Sequence, residues 1–171
     1  MSNILPLFAF FLIIATVSAR AQDGPKPVGT FDRWAAYSYV EKGQPVCYAA
    51  TKPAKSDGKY DKRGDVFLLV THRPGQKSLD VVSFVAGYPF KASSDAELSI
   101  GKDKFKLFTK DERAWAPDDK VDGAIVRAMA KGNEMVMRGT SARGTAPTDH
   151  FSLKGFVKAY DAINKACKVK R

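Results

Sequence analysis

The sequence has little of what metal and redox chemistry needs, since its 171 residues include only two cysteines and two histidines. His72 and His150 are far apart in the chain, and no CxxC, HxH or HExxH spacing occurs. A zinc site requires several such ligands that converge on one point. The sequence therefore predicts neither a metal site nor a cofactor. Internal repeats and low-complexity tracts are also missing, and nothing in the composition indicates a second domain.

Catalytic motifs are equally scarce. Ser141, Asp149 and His150 have the residue types of a nucleophilic triad, but the sequence contains no GxSxG elbow, and a nucleophile needs a base oriented beside it. The segment Gly139–Gly144 (GTSARG) resembles a phosphate-binding loop only superficially, because it lacks the GK[ST] ending and does not open a helix. We interpret it as a turn between two strands. The sequence predicts no catalytic residues, so we expect a protein that is not an enzyme.

Long apolar runs are confined to the N-terminus. Ile4 to Val17 is almost free of polar side chains and is followed by Ala19-Arg20-Ala21, which is typical of a signal peptide with its cleavage site. The run is shorter than the roughly 20 residues that a membrane-spanning helix needs. The sequence predicts a signal peptide at 1–21, a flexible leader at 22–30 and one domain at 31–171. We expect an exported protein, with a membrane anchor as the alternative.

Basic residues outnumber acidic ones. Without Arg20 the predicted mature chain has 27 basic and 18 acidic residues, a net charge of +9. Such a protein attracts anionic partners, for example lipid head groups, lipopolysaccharide phosphates or acidic polymers. Export makes nucleic acid an unsuitable partner. The alternative is that the lysines only solvate the surface.

Cys47 and Cys167 are the only cysteines, and an oxidising compartment favours a bridge between them. The bridge would close a loop of about 120 residues. In the chain-entropy model a loop of about 100 residues contributes on the order of 4.7 kcal/mol. Two unpaired thiols are the alternative.

The hydropathy pattern predicts a mainly β fold with short antiparallel strands. Val66–Val70 and Leu79–Val85 read as a central antiparallel pair, and 97–100 with 104–108 as a hairpin with one wet face. Thr51–Arg63 reads as a mobile loop and Trp115 as part of the core. Apolar spacing predicts one helix over Val121–Met129 and a C-terminal helix that ends at Cys167. Seven or eight strands and two helices indicate a β-sandwich with helices at one edge.

Four lysines lie in and beside one predicted strand, interleaved with two phenylalanines. They could form a basic strand face that contacts anionic surfaces, or a solvated edge that prevents strand-to-strand aggregation. The four are Lys102, Lys104, Lys106 and Lys110.

An ordered series of short motifs covers nearly all of the predicted mature chain. It comprises Phe31-x-x-Trp34, Cys47-Tyr48, Gly87-Tyr88-Pro89-Phe90, Ala114-Trp115, Lys131-Gly132, Gly139 to Thr145 (GTSARGT) and Phe151 to Phe156 (FSLKGF), and ends at Cys167. In this series the chain resembles the invasion-associated locus B family. One position departs from the family pattern, because Arg33 precedes the tryptophan where an aspartate is usual.

The resemblance implies an exported protein of Gram-negative bacteria, periplasmic or peripherally associated with the outer membrane, with an immunoglobulin-like antiparallel β-sandwich. The family is named for a role in invasion of host red cells, and it offers no established catalytic residues. The leading hypothesis is a non-enzymatic envelope protein that binds a protein or an anionic envelope or host-surface component and promotes host-cell invasion. A periplasmic folding or stress accessory, or a housekeeping envelope protein, is the alternative, and a hydrolase is the weakest.

Overall fold

Eleven strands and two helices make up residues 24–60 and 62–170, the part of the chain that the computed structural model describes. The strands are β1 (Lys26–Phe31), β2 (Trp34–Glu41), β3 (Gln44–Thr51), β4 (Lys55–Asp57), β5 (Phe67–Arg73), β6 (Ser78–Val85), β7 (Asp95–Ile100), β8 (Asp103–Lys110), β9 (Arg113–Trp115), β10 (Glu134–Arg138) and β11 (Thr148–Ser152). The helices are α1 (Asp119–Lys131) and α2 (Phe156–Ala166). The predicted signal peptide at 1–21 lies outside the described residues.

The strands form one antiparallel sheet in the order β1-β2-β3-β5-β6-β9-β8-β7-β10-β11-β4. β2 and β11 are not neighbours in this order, yet the Trp34 indole donates a hydrogen bond to the Ser152 carbonyl oxygen at 3.1 Å. The rings of Phe84 on β6 and Phe151 on β11 lie 6.1 Å apart, edge to face. The sheet therefore bends so that its halves pack face to face and β9 joins them. The predicted mainly β class, with two helices, is confirmed.

A hydrophobic core fills the space between the two halves. Strand alternation builds it, since Trp34 and Ala36 on β2 and Leu98 and Ile100 on β7 all point inward and are buried. The Trp34 ring lies 4.9 Å from that of Phe156, the first residue of α2. Burial of one large apolar side chain stabilises a fold by about 1.5–3 kcal/mol. The core therefore fixes both halves of the sheet and α2 together.

The predicted pairings are confirmed, and three further strands, β1, β4 and β9, appear where the sequence predicted none. β5 pairs with β6, and β7 with β8, both antiparallel. β1 begins inside the segment that was expected to be a flexible leader, and it pairs with β2. β4 lies within the predicted mobile loop and pairs with β11. β1 and β4 are at the two ends of the sheet and are mostly polar or exposed, so apolar alternation could not mark them. β9 lies inside the sheet but has only three residues, too few to show alternation.

Trp115 is not part of the core, contrary to the sequence-based prediction. Its side chain is half-buried and stacks on the exposed ring of Phe108, with centroids 5.5 Å apart. Trp34 is the tryptophan that is fully buried. β9 has only three residues, and its inward position is taken by Ala114. The neighbouring tryptophan therefore faces away from the core.

Both helices lie where the sequence predicted them. The carboxylate of Asp118 caps α1 by accepting a hydrogen bond from the Val121 amide at 2.9 Å, and Gly132 follows its last residue. α2 ends at Cys167, which is bonded to Cys47 on β3 with a Cα–Cα distance of 5.9 Å. The predicted disulfide is confirmed. It fastens the end of α2 to the inner face of the sheet.

Asp122 is a buried carboxylate in the first turn of α1. It accepts a hydrogen bond from the Val82 amide at 2.8 Å. Burial raises the pKa of Asp122 to about 6, and the charges of Asp80 and of the two aspartates that open α1 add to the rise. A group whose pKa is higher in the folded state stabilises the fold when protonated. This contribution is complete below about pH 4 and is lost as the pH rises through about 6.

Replacement of this carboxylate should therefore stabilise the protein at high pH. Asp122→Asn keeps an oxygen that accepts from Val82 but removes the buried charge. A rise in pKa from 3.8 to about 6 corresponds to at most about 3 kcal/mol. We expect the variant to be about 1–2 kcal/mol more stable than the parent at pH 8 and equal to it at pH 4, as measured by urea unfolding. If the variant and the parent were equally stable at pH 8, the buried charge of Asp122 would not destabilise the fold.

Candidate functional site

Two of the sequence motifs come together at one edge of the fold. Tyr88 to Phe90 follow β6, whereas Gly139 to Thr145 connect β10 to β11. Phe90 and Ser141 form an isolated antiparallel bridge. The Lys91 amide donates to the Thr140 carbonyl at 2.9 Å, and the Ala142 amide donates to the Pro89 carbonyl at 2.8 Å. Backbone hydrogen bonds therefore hold the two motifs side by side.

The glycine-rich segment Gly139–Gly144 is a turn, as predicted, and it satisfies its own polar groups. The Ser141 amide donates to the Thr145 carbonyl, and the Gly144 amide donates to the Ser141 carbonyl, both at 2.8 Å. The Ser141 and Thr145 hydroxyls share a hydrogen bond of 2.7 Å. Because these amides are already bonded, they do not cradle a phosphate. The Ser141 hydroxyl is likewise engaged.

A buried ion pair anchors the segment that faces this turn. The Arg63 guanidinium donates to both carboxylate oxygens of Asp149 on β11, at 2.7 and 2.6 Å, and its Nε donates to the Ala86 carbonyl at 2.7 Å. The Ser56 hydroxyl donates to the same carboxylate at 2.7 Å. Both charged side chains are buried, with 5% and 1% of their surface exposed. Burial acts to lower the pKa of Arg63, but its bonds to Asp149 outweigh this and raise it.

Gly87 lets the Arg63 segment approach closely. Its φ of +70° is in the left-handed region, and an added Cβ would collide with the backbone carbonyl of Gly64. The Gly64 amide donates to the Gly87 carbonyl at 2.9 Å. A side chain at residue 87 would push the two segments apart.

Tyr88 lies between these two segments and contacts Arg63. The Arg63 guanidinium lies 5.0 Å above its ring centroid. Burial raises the pKa of Tyr88 to about 12, while the positive charge of Arg63 opposes the rise. Its hydroxyl is buried and has no hydrogen-bond partner among residues 24–60 and 62–170. This phenol is therefore neutral at physiological pH.

The result is a pocket of about 400 Å³ between the β4–β5 connection and the β10–β11 turn. Lys59 and Lys62 line one side, and Arg143 lines the other. All three side chains are exposed, and none forms an ion pair within the part of the chain that the structure describes. Tyr60 and Pro147 add aromatic and apolar wall. We call this the cationic pocket.

The four lysines predicted as a basic surface lie elsewhere, on and around β8. Lys104 pairs with Glu97 on β7 at 3.3 Å, and Lys106 pairs with Asp95 at 2.8 Å. Lys102 and Lys110 are exposed at the two ends of the strand. Two of the four charges are thus compensated by carboxylates on the neighbouring strand. The structure offers the cationic pocket as a second and more concentrated basic surface.

Ser141, Asp149 and His150 do not form a catalytic triad. Asp149 and His150 are successive residues of β11, so their side chains point to opposite faces of the sheet. His150 points outward and contacts Glu134 at 2.8 Å and Asp57 at 3.4 Å. Asp149 is bonded to Arg63 instead. In the described ranges, no group of three His, Cys, Asp or Glu side chains could hold a metal ion.

Sequence reasoning missed the cations of the pocket because it assigned residues 51–63 to a mobile loop. One signal was present: Lys59, Lys62 and Arg63 fall within five residues, and Arg143 stands in a turn that belongs to the motif series. Nothing in their spacing shows that the two segments face each other across the pocket. That requires the pairing of β4 with β11.

A second surface lies on the outer face of the first half of the sheet. Alternate residues of β2, β3, β5 and β6 point outward and line a shallow depression of about 730 Å³. They include Tyr37, Tyr48, Phe67, Leu69 and Val85, all half-buried. The Tyr37 and Tyr48 rings stack with centroids 5.1 Å apart. We call this the aromatic face. α2 packs on the opposite, inner face of these strands.

Comparisons with known proteins agree with this architecture. Residues 34–164 match the family described as invasion associated locus B protein. The fold is similar to the crystal structure of invasion associated protein B from Bartonella henselae, with a TM-score of 0.58 and 15% sequence identity over 85% of this chain and 98% of that one. No curated protein matches the sequence. Between residues 24 and 170, the described helices are too short or too polar to cross a membrane. Because the family match covers most of the chain, this protein belongs to the invasion-associated locus B family, a family of secreted envelope proteins.

Proposed function

We propose that this chain is an exported, non-enzymatic envelope protein that binds an anionic component of the envelope or host surface and thereby promotes host-cell invasion. Family membership supports the compartment and the association with invasion. The basic balance of the chain supports an anionic partner. Binding takes place in the periplasm or peripherally at the outer membrane.

The observation that carries this proposal is the cationic pocket. Lys59, Lys62 and Arg143 surround one cavity and have no ion-pair partner among the described residues. On β8, by contrast, two lysines are already paired with carboxylates. An anionic partner gains most where several positive charges line one recess and no carboxylate compensates them.

Invasion assays with two charge-matched variants test the proposal. The pocket variant is Lys59→Gln/Lys62→Gln/Arg143→Gln, and the control variant is Lys102→Gln/Lys104→Gln/Lys110→Gln. Each removes three positive charges from exposed side chains, so neither should alter folding. We expect a deletion strain to invade poorly, the control variant to restore invasion, and the pocket variant to leave it at the level of the deletion.

Three outcomes would contradict the proposal. A deletion strain that invades host cells and keeps its envelope integrity like the parent would remove the protein from invasion altogether. Full restoration by the pocket variant, at equal protein levels, would place the function on another surface. Loss of invasion in the control variant alone would point to the β8 lysines.

The aromatic face favours a second candidate, a periplasmic folding or stress accessory. Half-buried aromatic and aliphatic side chains that meet solvent on one face are suited to hold apolar segments of client proteins. Tyr48→Lys/Leu69→Lys places two charges in this face without touching the core. If the protein is such an accessory, this variant should lose client proteins that the parent retains in pull-downs from the periplasm. The pocket variant should retain them.

A further inference from the structure

The cationic pocket takes its charges from two segments of the chain, which form its two walls. Arg63 fixes the first wall through its buried pair with Asp149, directly after Lys62. At the other end of the same segment, Gly58 adopts a φ of +132°, and an added Cβ would lie 3.1 Å from Pro147 Cα. A side chain is strained at this φ, which therefore favours glycine. The described residues on both sides of Lys59 and Lys62 thus lie against Pro147 and Asp149.

Backbone hydrogen bonds hold the second wall in place. Arg143 projects from a turn whose backbone amides bond within the turn and to Pro89. Its guanidinium is a planar fork that matches two oxygens of a phosphate at once, whereas a lysine ammonium acts as a point charge. Arg143 and the two lysines thus line the same cavity from separate segments of the chain. A ligand in the cavity meets positive charge from both segments.

This arrangement selects for a compact group with charge and oxygens on several sides. A carboxylate has one negative charge and two oxygens in a plane, so it would engage one wall and leave the other uncompensated. A phosphate monoester has close to two negative charges and three terminal oxygens in a tetrahedral arrangement. It can bond to both walls at the same time.

The pocket is also larger than a phosphate group. Its volume of about 400 Å³ lies within the range of small-molecule sites, about 300–1,000 Å³. Tyr60, Pro89 and Pro147 supply aromatic and apolar wall beside the cations. Such walls suit an organic group of roughly the size of a sugar ring. The organic group would lie against them while the phosphate lies between the cations.

We propose that the cationic pocket binds a phosphate monoester carried on a sugar-sized group. The proposal deepens the function proposed above, and it rests on the pocket being the binding surface. Two sources share this chemistry, a soluble phosphorylated sugar and the phosphorylated head group of a lipid. The Arg63–Asp149 pair takes no part in the contact with the ligand, because its bonds are internal; its role is to position the wall.

Titrations with three related probes test the ligand class. Glucose 1-phosphate, glucuronate and glucose are added separately to the full mature protein, and the amide resonances of residues 59–63 and 141–146 are followed by NMR. We expect glucose 1-phosphate to cause saturable shifts. Glucuronate should bind at least about tenfold more weakly, and glucose should cause no shifts. The pocket variant should bind glucose 1-phosphate at least about tenfold more weakly than the parent, and the β8 control variant should bind it like the parent.

Vesicles distinguish the two sources. Phosphatidic acid carries a phosphate monoester and phosphatidylglycerol a diester, each at the same fraction in phosphatidylcholine. Pocket-dependent sedimentation with phosphatidic acid alone supports a lipid source, and pocket-dependent binding of glucose 1-phosphate without sedimentation supports a soluble source. Equal sedimentation with both anionic lipids, or no pocket-dependent binding of any phosphate probe, would overturn the proposal.

These results separate the ligand from the function. If the pocket variant fails in invasion but no phosphate monoester binds, the ligand class is wrong while the function stands. If glucose 1-phosphate binds in the pocket but the pocket variant invades normally, the ligand class stands and the role in invasion is wrong.

Discussion

Cys47→Ala/Cys167→Ala is expected to lower the free energy of unfolding by about 4 kcal/mol. The disulfide closes a loop with a sequence separation of 120, and it joins the last turn of α2 to β3. Without it the unfolded chain regains the entropy of that loop, which the chain-entropy model places at about 4–5 kcal/mol. Alanine is chosen because both cysteines are buried, and a serine hydroxyl would add an unsatisfied polar group.

Urea unfolding of the variant and of the parent, each with and without reductant, measures this effect. Reduced parent protein should match the variant, and reductant should not change the variant. Thiol labelling of the unfolded, unreduced parent should find no free cysteine. A loss of stability below about 1 kcal/mol would contradict the chain-entropy value and would show that the apolar contacts of α2 are enough to keep it docked.

Arg63→Met is expected to lower the free energy of unfolding by about 3–5 kcal/mol. The substitution leaves the Asp149 carboxylate, which is 1% exposed, with the Ser56 hydroxyl as its remaining side-chain partner among residues 24–60 and 62–170. An uncompensated charge in the interior carries most of its desolvation cost. The wall of the cationic pocket should loosen as well, since Arg63 also holds the Ala86 carbonyl.

The double variant Arg63→Met/Asp149→Leu is the control for this prediction. It removes both charges and should regain most of the lost stability, because a buried ion pair can be replaced by apolar residues of similar size at little cost. Equilibrium unfolding of the three proteins forms a double-mutant cycle. A double variant as unstable as Arg63→Met would show that the hydrogen bonds to backbone and Ser56, rather than the charges, hold this region together.

Much of the fold could be predicted from the sequence because its main elements carry their own local signals. The apolar runs at 66–70 and 79–85 fixed a central pair, and the helix spacing with Asp118 and Gly132 as its boundaries fixed α1. With two cysteines in the chain, one intramolecular disulfide was possible. These features depend on hydropathy, caps and composition, all of which are local or countable.

The cationic pocket could not be predicted because it depends on contacts between distant segments. Arg63 and Asp149 are 86 residues apart, and either alone reads as a solvated charge. β4 consists of Lys55, Ser56 and Asp57, which have no apolar alternation, so its pairing with β11 has no sequence signal. The sequence predicted a basic surface at the β8 lysines instead. Two of these lysines pair with carboxylates of β7, which can be seen only when β7 is placed beside β8.

Site-specific photocrosslinking in intact cells tests the central claim most directly. A photoreactive phenylalanine analogue is placed at Tyr60, on the wall of the cationic pocket, or at Phe108, an exposed aromatic on β8. We expect an adduct of higher mass from residue 60 that disappears when Lys59, Lys62 and Arg143 are changed to glutamine, and no such adduct from residue 108. An adduct from residue 108 alone, or one from residue 60 that survives loss of the three cations, would contradict an anionic partner in this pocket.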